Sequence, residues 1–116
     1  MSEELEYDSE TRLVRIRLWG EDPIEDWIAS KQEVIRLHES KGASKVLFDV
    51  RRQEAMPSVM DIFEFGERWP ESIRVAIVMG PETSEDVTLL ETGAINRAED
   101  IRVFFDEDEA LLWLEH

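Results

Sequence analysis

The sequence predicts an α/β domain built from an N-terminal β-hairpin and a mostly parallel sheet. Two runs, 46–48 and 75–79, are continuously apolar, which is typical of strands buried on both faces. Segments with helical periodicity separate the predicted strands, and strand–helix–strand crossovers of this kind place neighbouring strands parallel. The chain has 116 residues, a usual size for one domain, so we predict a single domain over residues 1–116.

The hairpin is predicted from the alternation of apolar and polar residues in segments 5–7 and 13–19. The linking residues 8–11 are polar and suit a tight turn. We expect one face of the second strand to be core and the other to be at least partly exposed to water. The first face carries Val14, Ile16 and Leu18, and the second carries Arg15, Arg17 and Trp19.

The first helix is predicted to begin with Asp22 as its cap and Pro23 in the first helical position, and to end at Gly42. Lys31 and His38 lie near its apolar stripe. We expect Lys31 to lay its methylene groups along the core and to hold its charge in water, and His38 to be a packed histidine rather than a ligand. The stripe itself comprises Ile24, Trp27, Ile28, Val34 and Ile35.

The strand 45–52 is predicted to lie in the middle of the sheet, and a second helix is predicted over 58–69 with Ser58 as its N-cap. Met60 and Phe65 flank the apolar stripe of that helix on opposite sides. The apolar arc is wider than one buried face requires, which favours a second contact, either a ligand pocket or another subunit. Alternatively, both side chains pack under loops. On a helix with one buried side, Phe65 would face solvent.

The later elements are a strand over 74–79, a third helix over 83–98, a last strand over 101–105 and a terminal helix starting at 106, which makes about four helices. The terminal helix opens with acidic residues, which the helix macrodipole favours there. The final Leu-Glu-His matches the remainder of a common expression tag, so we expect up to three of the last positions not to be native. The apolar side of that helix comprises Ala110, Leu111, Trp113 and Leu114.

The composition excludes several classes of function. There is no cysteine, and one internal histidine has no evident partner, so we predict no metal site and no cofactor. Twenty-eight acidic residues against thirteen basic ones give a formal net charge of -15, which repels phosphate backbones and makes nucleic acid an unsuitable partner. No membrane-spanning run or targeting segment is evident, so we expect a cytoplasmic protein. The negative charge either keeps the protein soluble or adapts it to a salty cytoplasm, or else it attracts a basic protein partner.

The order of these pieces resembles the STAS superfamily, specifically its stage II sporulation protein AA-like branch, which is also grouped with the lipid-binding Sec14-like domains. The resemblance covers nearly the whole chain and implies a STAS-like fold with a regulatory role. In the regulatory members, a serine that opens the helix after the central strand is phosphorylated within an Asp-Ser-Ser-Gly run. Ser58 has the similar place, but Pro57-Ser58-Val59 replaces that run, so we expect Ser58 to be a helix cap. The segments that carry the resemblance are 7–8, 13–16, 47–51, 74–78, 103–104 and 109–114.

No enzymatic motif is evident: the chain lacks a glycine-rich phosphate loop and a Gly-x-Ser-x-Gly elbow, so we predict no enzymatic activity. Open α/β sheets bind ligands at the carboxyl ends of their strands. Two adjacent arginines there can receive a carboxylate or phosphate, or can instead pair with nearby acids. The predicted ligand-binding or partner-binding residues are Arg51, Arg52, Gln53, Ser58, Met60, Phe65, Thr83 and Ser84.

Two functions follow from these predictions. The first is a protein-interaction module of the STAS type, which binds a protein partner or a second copy of itself. The second is a carrier of a small apolar or anionic ligand or a lipid, which uses the wide apolar arc of the second helix. An enclosed apolar cavity beside Phe63 and Phe65 favours the carrier, whereas an exposed apolar patch that is buried between copies favours the interaction module.

Overall fold

A computed structural model describes residues 2–20, 23–53, 65, 69–70, 72–79 and 101–115, and it confirms the mixed α/β class. The described residues contain two helices. Of the two further helices that the sequence predicts, the one over 83–98 lies outside the described residues. The other, over 58–69, is described only at Phe65, which is helical, and at Trp69. The elements are β1 (Ser2–Asp8), β2 (Leu13–Gly20), α1 (Pro23–Lys41), β3 (Lys45–Gln53), β4 (Arg74–Val78), β5 (Ile101–Phe104) and α2 (Glu107–Glu115).

The five strands form one sheet in the order β1-β2-β3-β4-β5. β1 and β2 pair antiparallel as the predicted hairpin, and all other neighbours pair parallel. β3 is therefore the middle strand, as the sequence predicts. Its apolar residues are buried whichever face they belong to, because helices pack on both sides of this part of the sheet.

The two faces of the sheet are covered to different extents. α1 packs on the first face, where Trp27 and Val34 meet the buried residues Val14, Ile16 and Phe48. α2 packs on the second face, where Ala110 and Leu114 meet residues of β3 and β4. On the hairpin, the second face is instead solvent-exposed among the described residues, and its exposed side chains are Glu4, Glu6, Arg17 and Trp19.

Local sequence explains where the helices begin and end and how the hairpin turns. The Asp8 carboxylate accepts a hydrogen bond of 2.9 Å from the Glu10 amide in the hairpin turn. Gly42 has a φ of 80°, and its amide donates to the His38 carbonyl, which ends α1 where the sequence predicts. α1 begins at Pro23, also as predicted, whereas the expected cap Asp22 lies outside the described residues. The Asp106 carboxylate accepts a bond of 3.0 Å from the Asp108 amide and thereby caps α2.

The buried side of α1 differs from the predicted stripe at Ile28. Trp27, Ser30 and Val34 are fully buried, whereas Ile28 is 46% exposed, so its predicted place in the stripe is wrong. Each residue of a helix turns the chain by about 100°, and a buried line centred on positions 27, 30 and 34 leaves position 28 to one side. The Ser30 hydroxyl remains paired inside the protein because it donates to the Glu3 carboxylate at 2.8 Å.

Phe65 lies in the core and not at the surface. Only 3% of it is exposed, and its ring centroid lies 5.0 Å from that of Trp27, 5.3 Å from that of Phe48 and 5.5 Å from that of Trp69. On a helix with one buried side Phe65 is expected to face solvent, and this expectation is wrong. The physical reason is that α1 and β3 contribute aromatic side chains to the same space, and edge-to-face contacts among such rings are favourable.

Two polar side chains of α1 connect it to its neighbours. The Lys31 ammonium donates to the Phe65 carbonyl at 2.9 Å and lies 5.2 Å from the ring centroid of Trp69, contacts that the sequence did not predict. His38 is a packed histidine, as predicted. Its Nδ1 lies 2.6 Å from the Ala43 carbonyl oxygen, and its Nε2 lies 3.1 Å from the Ser72 hydroxyl.

Candidate functional site

The structure describes part of the site that the sequence predicts. Arg51 and Arg52 are exposed at the carboxyl end of β3, and Gln53 is the last residue of that strand. Phe65 belongs to the aromatic core. The described part of the predicted site therefore lies at the end of β3 and in the aromatic core. The other predicted residues, Ser58, Met60, Thr83 and Ser84, lie outside the described residues.

A β-bulge sets the direction of the side chains at this end of β3. Arg17 is aligned with Asp49, but Trp19 is aligned with Arg52, so one residue of β2 lies opposite two residues of β3. In a regular register Trp19 would instead be aligned with Arg51. Because aligned residues on neighbouring strands share a face, the bulge brings Arg52 to the face that carries Arg17 and Trp19. We call Arg15, Arg17, Trp19, Arg51 and Arg52 the arginine face.

Asp49 anchors Arg51 at the centre of this face. The Asp49 carboxylate accepts hydrogen bonds from Nε of Arg51 at 2.9 Å, from its Nη2 at 2.7 Å and from its backbone amide at 3.2 Å. The Asp49 side chain is only 10% exposed, whereas that of Arg51 is 40% exposed. A bidentate pair of this kind holds the guanidinium in one plane and fixes its direction.

The protonation of Asp49 follows from this geometry. Burial alone would raise the pKa of Asp49, but the hydrogen bonds from Arg51 and the charges of Arg51 and Arg17 outweigh burial, and the pKa lies below its ordinary value of 3.8. The side-chain hydrogen bond with Asp49 also raises the pKa of Arg51, whereas burial acts to lower that pKa. Asp49 is therefore ionised near neutral pH and acts as a fixed anion beneath the arginines.

The first residue of α2 adds a second carboxylate to the face. Glu107 lies with its Oε1 2.6 Å from Nη2 of Arg15 and its Oε2 3.8 Å from Nη2 of Arg51. One carboxylate thus spans arginines that stand on the neighbouring strands β2 and β3. This contact also connects the start of α2 to the sheet, beside the apolar packing of Leu114 and Ala110.

The other two arginines have no such contact. The side chains of Arg17 and Arg52 make no hydrogen bond, and no ion pair within 4.0 Å, with any residue in the part of the chain that the structure describes, and both residues are exposed. Trp19, aligned with Arg52, is 39% exposed. Glu4 and Glu6 stand opposite Arg17 and Arg15 on β1, and the four side chains line a shallow, open depression.

This arrangement is suited to binding, because guanidiniums and carboxylates form strong hydrogen bonds with charged and polar groups. The sequence identified Arg51 and Arg52 but missed Arg17, Trp19 and Glu107 as their neighbours. The alternation in segment 13–19 had already placed Arg17 and Trp19 on one face, and it was the signal that could have found them. The bulge and the approach of Glu107 have no comparable signature in the sequence.

Comparison with known families agrees with this fold. The family model described as SpoIIAA-like matches residues 13–115, from the first residue of β2 to the last residue of α2. The chain belongs to the SpoIIAA-like family. This confirms the resemblance that the sequence indicates. No curated protein matches the chain closely enough to assign it a more specific role.

The described residues of this SpoIIAA-like domain show neither a membrane-spanning helix nor a metal site. Neither of the helices in the described residues is long and apolar enough to cross a membrane. Within the same described ranges, no group of three or more acidic or histidine side chains is arranged to hold a metal ion.

Proposed function

We propose that this SpoIIAA-like domain is a non-enzymatic regulatory module that binds another protein through the arginine face. One observation carries the proposal: four arginines and an exposed tryptophan gather on one face of the sheet, where Glu107 of α2 contacts Arg15 and Arg51 and leaves Arg17, Trp19 and Arg52 exposed, in a chain whose net charge is -15. The charge makes this clustering informative, since only thirteen of the residues are basic.

The residue types support a protein partner. Tryptophan and arginine are enriched among the residues that dominate binding energy in protein interfaces. Trp19 has a large apolar ring, and burial of the exposed part of such a ring is favourable by about 25 cal/mol per Å². Arg51 is held in place by Asp49 before any partner arrives, which lowers the entropy lost on binding.

The regulatory switch of the STAS superfamily is not part of this proposal. Pro57-Ser58-Val59 lacks the aspartate before the serine and the glycine after it, so we propose that Ser58 caps a helix and is not phosphorylated. We also propose that the predicted helices over 58–69 and 83–98 are the crossovers that connect β3 to β4 and β4 to β5. The module then comprises the whole chain and acts in the cytoplasm.

The carrier function has less support in the described residues. It requires open apolar space beside Phe65, but the Phe65 ring is in contact with the rings of Trp27, Phe48 and Trp69. These three rings fill the space on the sides that the structure describes. We therefore do not propose a carrier, although Met60 lies outside the described residues and its place in a pocket stays a prediction.

Native mass spectrometry of the protein purified from its own host tests the proposal. We expect a non-covalent complex with another polypeptide in the wild type, and we expect it to be lost in Trp19→Ala and in Arg17→Glu. The matched control is Arg36→Glu, which makes the same change of charge on α1, on the other side of the sheet. A complex that survives the two face variants would contradict the proposal. A bound small molecule without a polypeptide would favour the carrier.

A further inference from the structure

We propose that the open half of the arginine face, formed by Arg17, Trp19 and Arg52, binds an acidic segment of a protein partner. This inference rests on the proposed function and names the chemistry of the partner. Its starting point is the occupied half of the same face, where the protein already binds a carboxylate that comes from outside the sheet.

Glu107 shows what the occupied half accepts. Its carboxylate reaches Arg15 on β2 at 2.6 Å and lies 3.8 Å from Arg51 on β3, so it bridges two neighbouring strands from above. Arg15 and Arg51 are each about 40% exposed in their side chains. At this partly exposed site a carboxylate therefore lies between two guanidiniums, which are groups that bind carboxylates well.

The open half carries two further arginines, Arg17 and Arg52, without a carboxylate that bridges them. Glu4 and Asp49 are aligned with Arg17 on the neighbouring strands, but neither forms an ion pair with it within 4.0 Å. Arg17 follows Arg15 by two residues on the same face of β2, which is roughly 7 Å along the strand. Arg52 stands on β3 beside Trp19 and diagonally across from Arg17, because the bulge aligns Arg52 with Trp19 whereas Arg17 is aligned with Asp49. If a carboxylate contacted Arg17 as that of Glu107 contacts Arg15, the two would be separated by about 7 Å along the strand, which is the distance between alternate side chains of an extended peptide. An extended segment with acidic residues at alternate positions fits this spacing.

The charge of the surroundings favours a short acidic segment over the other anionic partners. A net charge of -15 opposes the approach of a long polyanion such as a nucleic acid, and it opposes a second copy of the same chain for the same reason. A short segment brings few charges and reaches Arg17 and Arg52, which have no ion-pair partner among the described residues. Trp19 supplies apolar contact that an inorganic anion cannot use.

The test is a titration with two synthetic peptides of equal length, in which glutamate or glutamine alternates with serine and one leucine is included. Binding is followed by NMR through the Nε–H signals of arginine and the indole signal of Trp19. We expect saturable binding of the glutamate peptide, with the largest shifts at Arg17, Trp19 and Arg52. We expect the glutamine peptide to bind at least about tenfold more weakly, which is the loss typical of one charge-assisted hydrogen bond.

Variants locate the binding. The double variant Arg17→Glu with Arg52→Glu should lower the affinity for the glutamate peptide by about a hundredfold, and Arg36→Glu should change it less than about twofold. Circular dichroism of each variant shows whether it is folded, and the single variants Arg17→Gln and Arg52→Gln replace the double variant if it is not.

Three outcomes would overturn this inference. The first is equal affinity for the two peptides, the second is the absence of a shift at Trp19, and the third is inorganic phosphate binding as tightly as the glutamate peptide. Sedimentation of the protein alone checks whether a second copy covers this face, which would also overturn it. If the peptide fails but the native complex is still lost in Trp19→Ala, the interaction module stands and its partner is not acidic. If both fail, the proposed function falls as well.

Discussion

Arg51 folds back onto Asp49, two residues earlier in the same strand, and binds its carboxylate with two guanidinium nitrogens at 2.7 and 2.9 Å. Residues two apart on a strand share a face, so the Arg51 side chain can reach back to Asp49, and the β-bulge beside the pair brings Arg52 to the same face. The pair fixes the centre of the arginine face, and Glu107 and Arg17 are arranged around it.

The first prediction concerns the pH dependence of this pair. Asp49 has a lower pKa in the folded protein than its ordinary value of 3.8, so the unfolded chain takes up a proton at this position first as the pH falls. The stabilisation is therefore complete above about pH 4 and is lost as the pH falls through the lower, folded pKa. We expect Asp49→Asn to lower the free energy of unfolding by about 1–2 kcal/mol at pH 7, allowing for solvent around Arg51.

Urea unfolding of wild type and Asp49→Asn between pH 2.5 and pH 7 measures this difference, and because both proteins carry the other acidic residues, their common titration cancels. A difference that is the same at every pH would contradict the assignment of the low pKa to Asp49. If wild type and Asp49→Asn differed more in free energy of unfolding at pH 3 than at pH 7, the pKa of Asp49 would be raised and not lowered.

The second prediction compares two leucines of α2. Leu114 is buried against the second face of the sheet, whereas Leu112 is 57% exposed. Leu114→Ala should lower the free energy of unfolding by about 2–4 kcal/mol, because it removes a buried side chain and leaves a cavity. Leu112→Ala should change it by less than about 0.5 kcal/mol. Chemical denaturation measures both, and similar losses would mean that α2 does not pack as described.

Most of the described fold could be predicted because the patterns that specify it are local. Alternation in 13–19 and continuous apolar residues in 46–48 fix which strands have one or two buried faces. Pro23 and Gly42 mark the two ends of α1 for stereochemical reasons that do not depend on the rest of the protein. Asp106, followed by three acidic residues, does the same for the start of α2.

The sequence did not predict the surroundings of Phe65 and Lys31, because residues from distant parts of the chain form them. The position of Phe65 on its own helix suggested exposure, but Trp27 from α1 and Phe48 from β3 surround its ring. Lys31 finds the carbonyl of Phe65, 34 residues away, which no local pattern shows. Whether one side of a helix is buried depends on the side chains that neighbouring elements place against it. Hydrophobic periodicity reports only the residues of the helix itself.

The third prediction tests the place of Phe65 in the core. Phe65→Ala should lower the free energy of unfolding by about 3–5 kcal/mol and reduce the melting temperature equally at every protein concentration. Ile28→Ala on α1 is the control, since Ile28 is 46% exposed and its truncation should cost less than about 0.5 kcal/mol. Thermal unfolding over a wide range of protein concentrations measures both. A stable, folded Phe65→Ala monomer would show that Phe65 serves a subunit contact instead.

The candidate site was only partly predictable for a related reason. The rule that open α/β sheets bind at the carboxyl ends of strands pointed to Arg51 and Arg52. It did not point to the hairpin, because the register between β2 and β3 decides that Trp19 stands beside Arg52. A shift of one residue in that register would turn Arg52 to the other face. The sequence contains the arginines, but their grouping is a property of the sheet.

The central claim is that the arginine face contacts a partner protein, and site-specific photo-crosslinking in the native host tests it most directly. A photoreactive phenylalanine analogue replaces Trp19 in one protein and Ile28, which is also exposed but lies on α1, in the other. Ultraviolet light should link position 19 to one discrete protein, through an acidic segment that peptide mass spectrometry identifies, and position 28 should give no such product. The product from position 19 should be lost when Arg17→Glu and Arg52→Glu are added. The absence of a product from position 19, or the same product from position 28, would contradict the account.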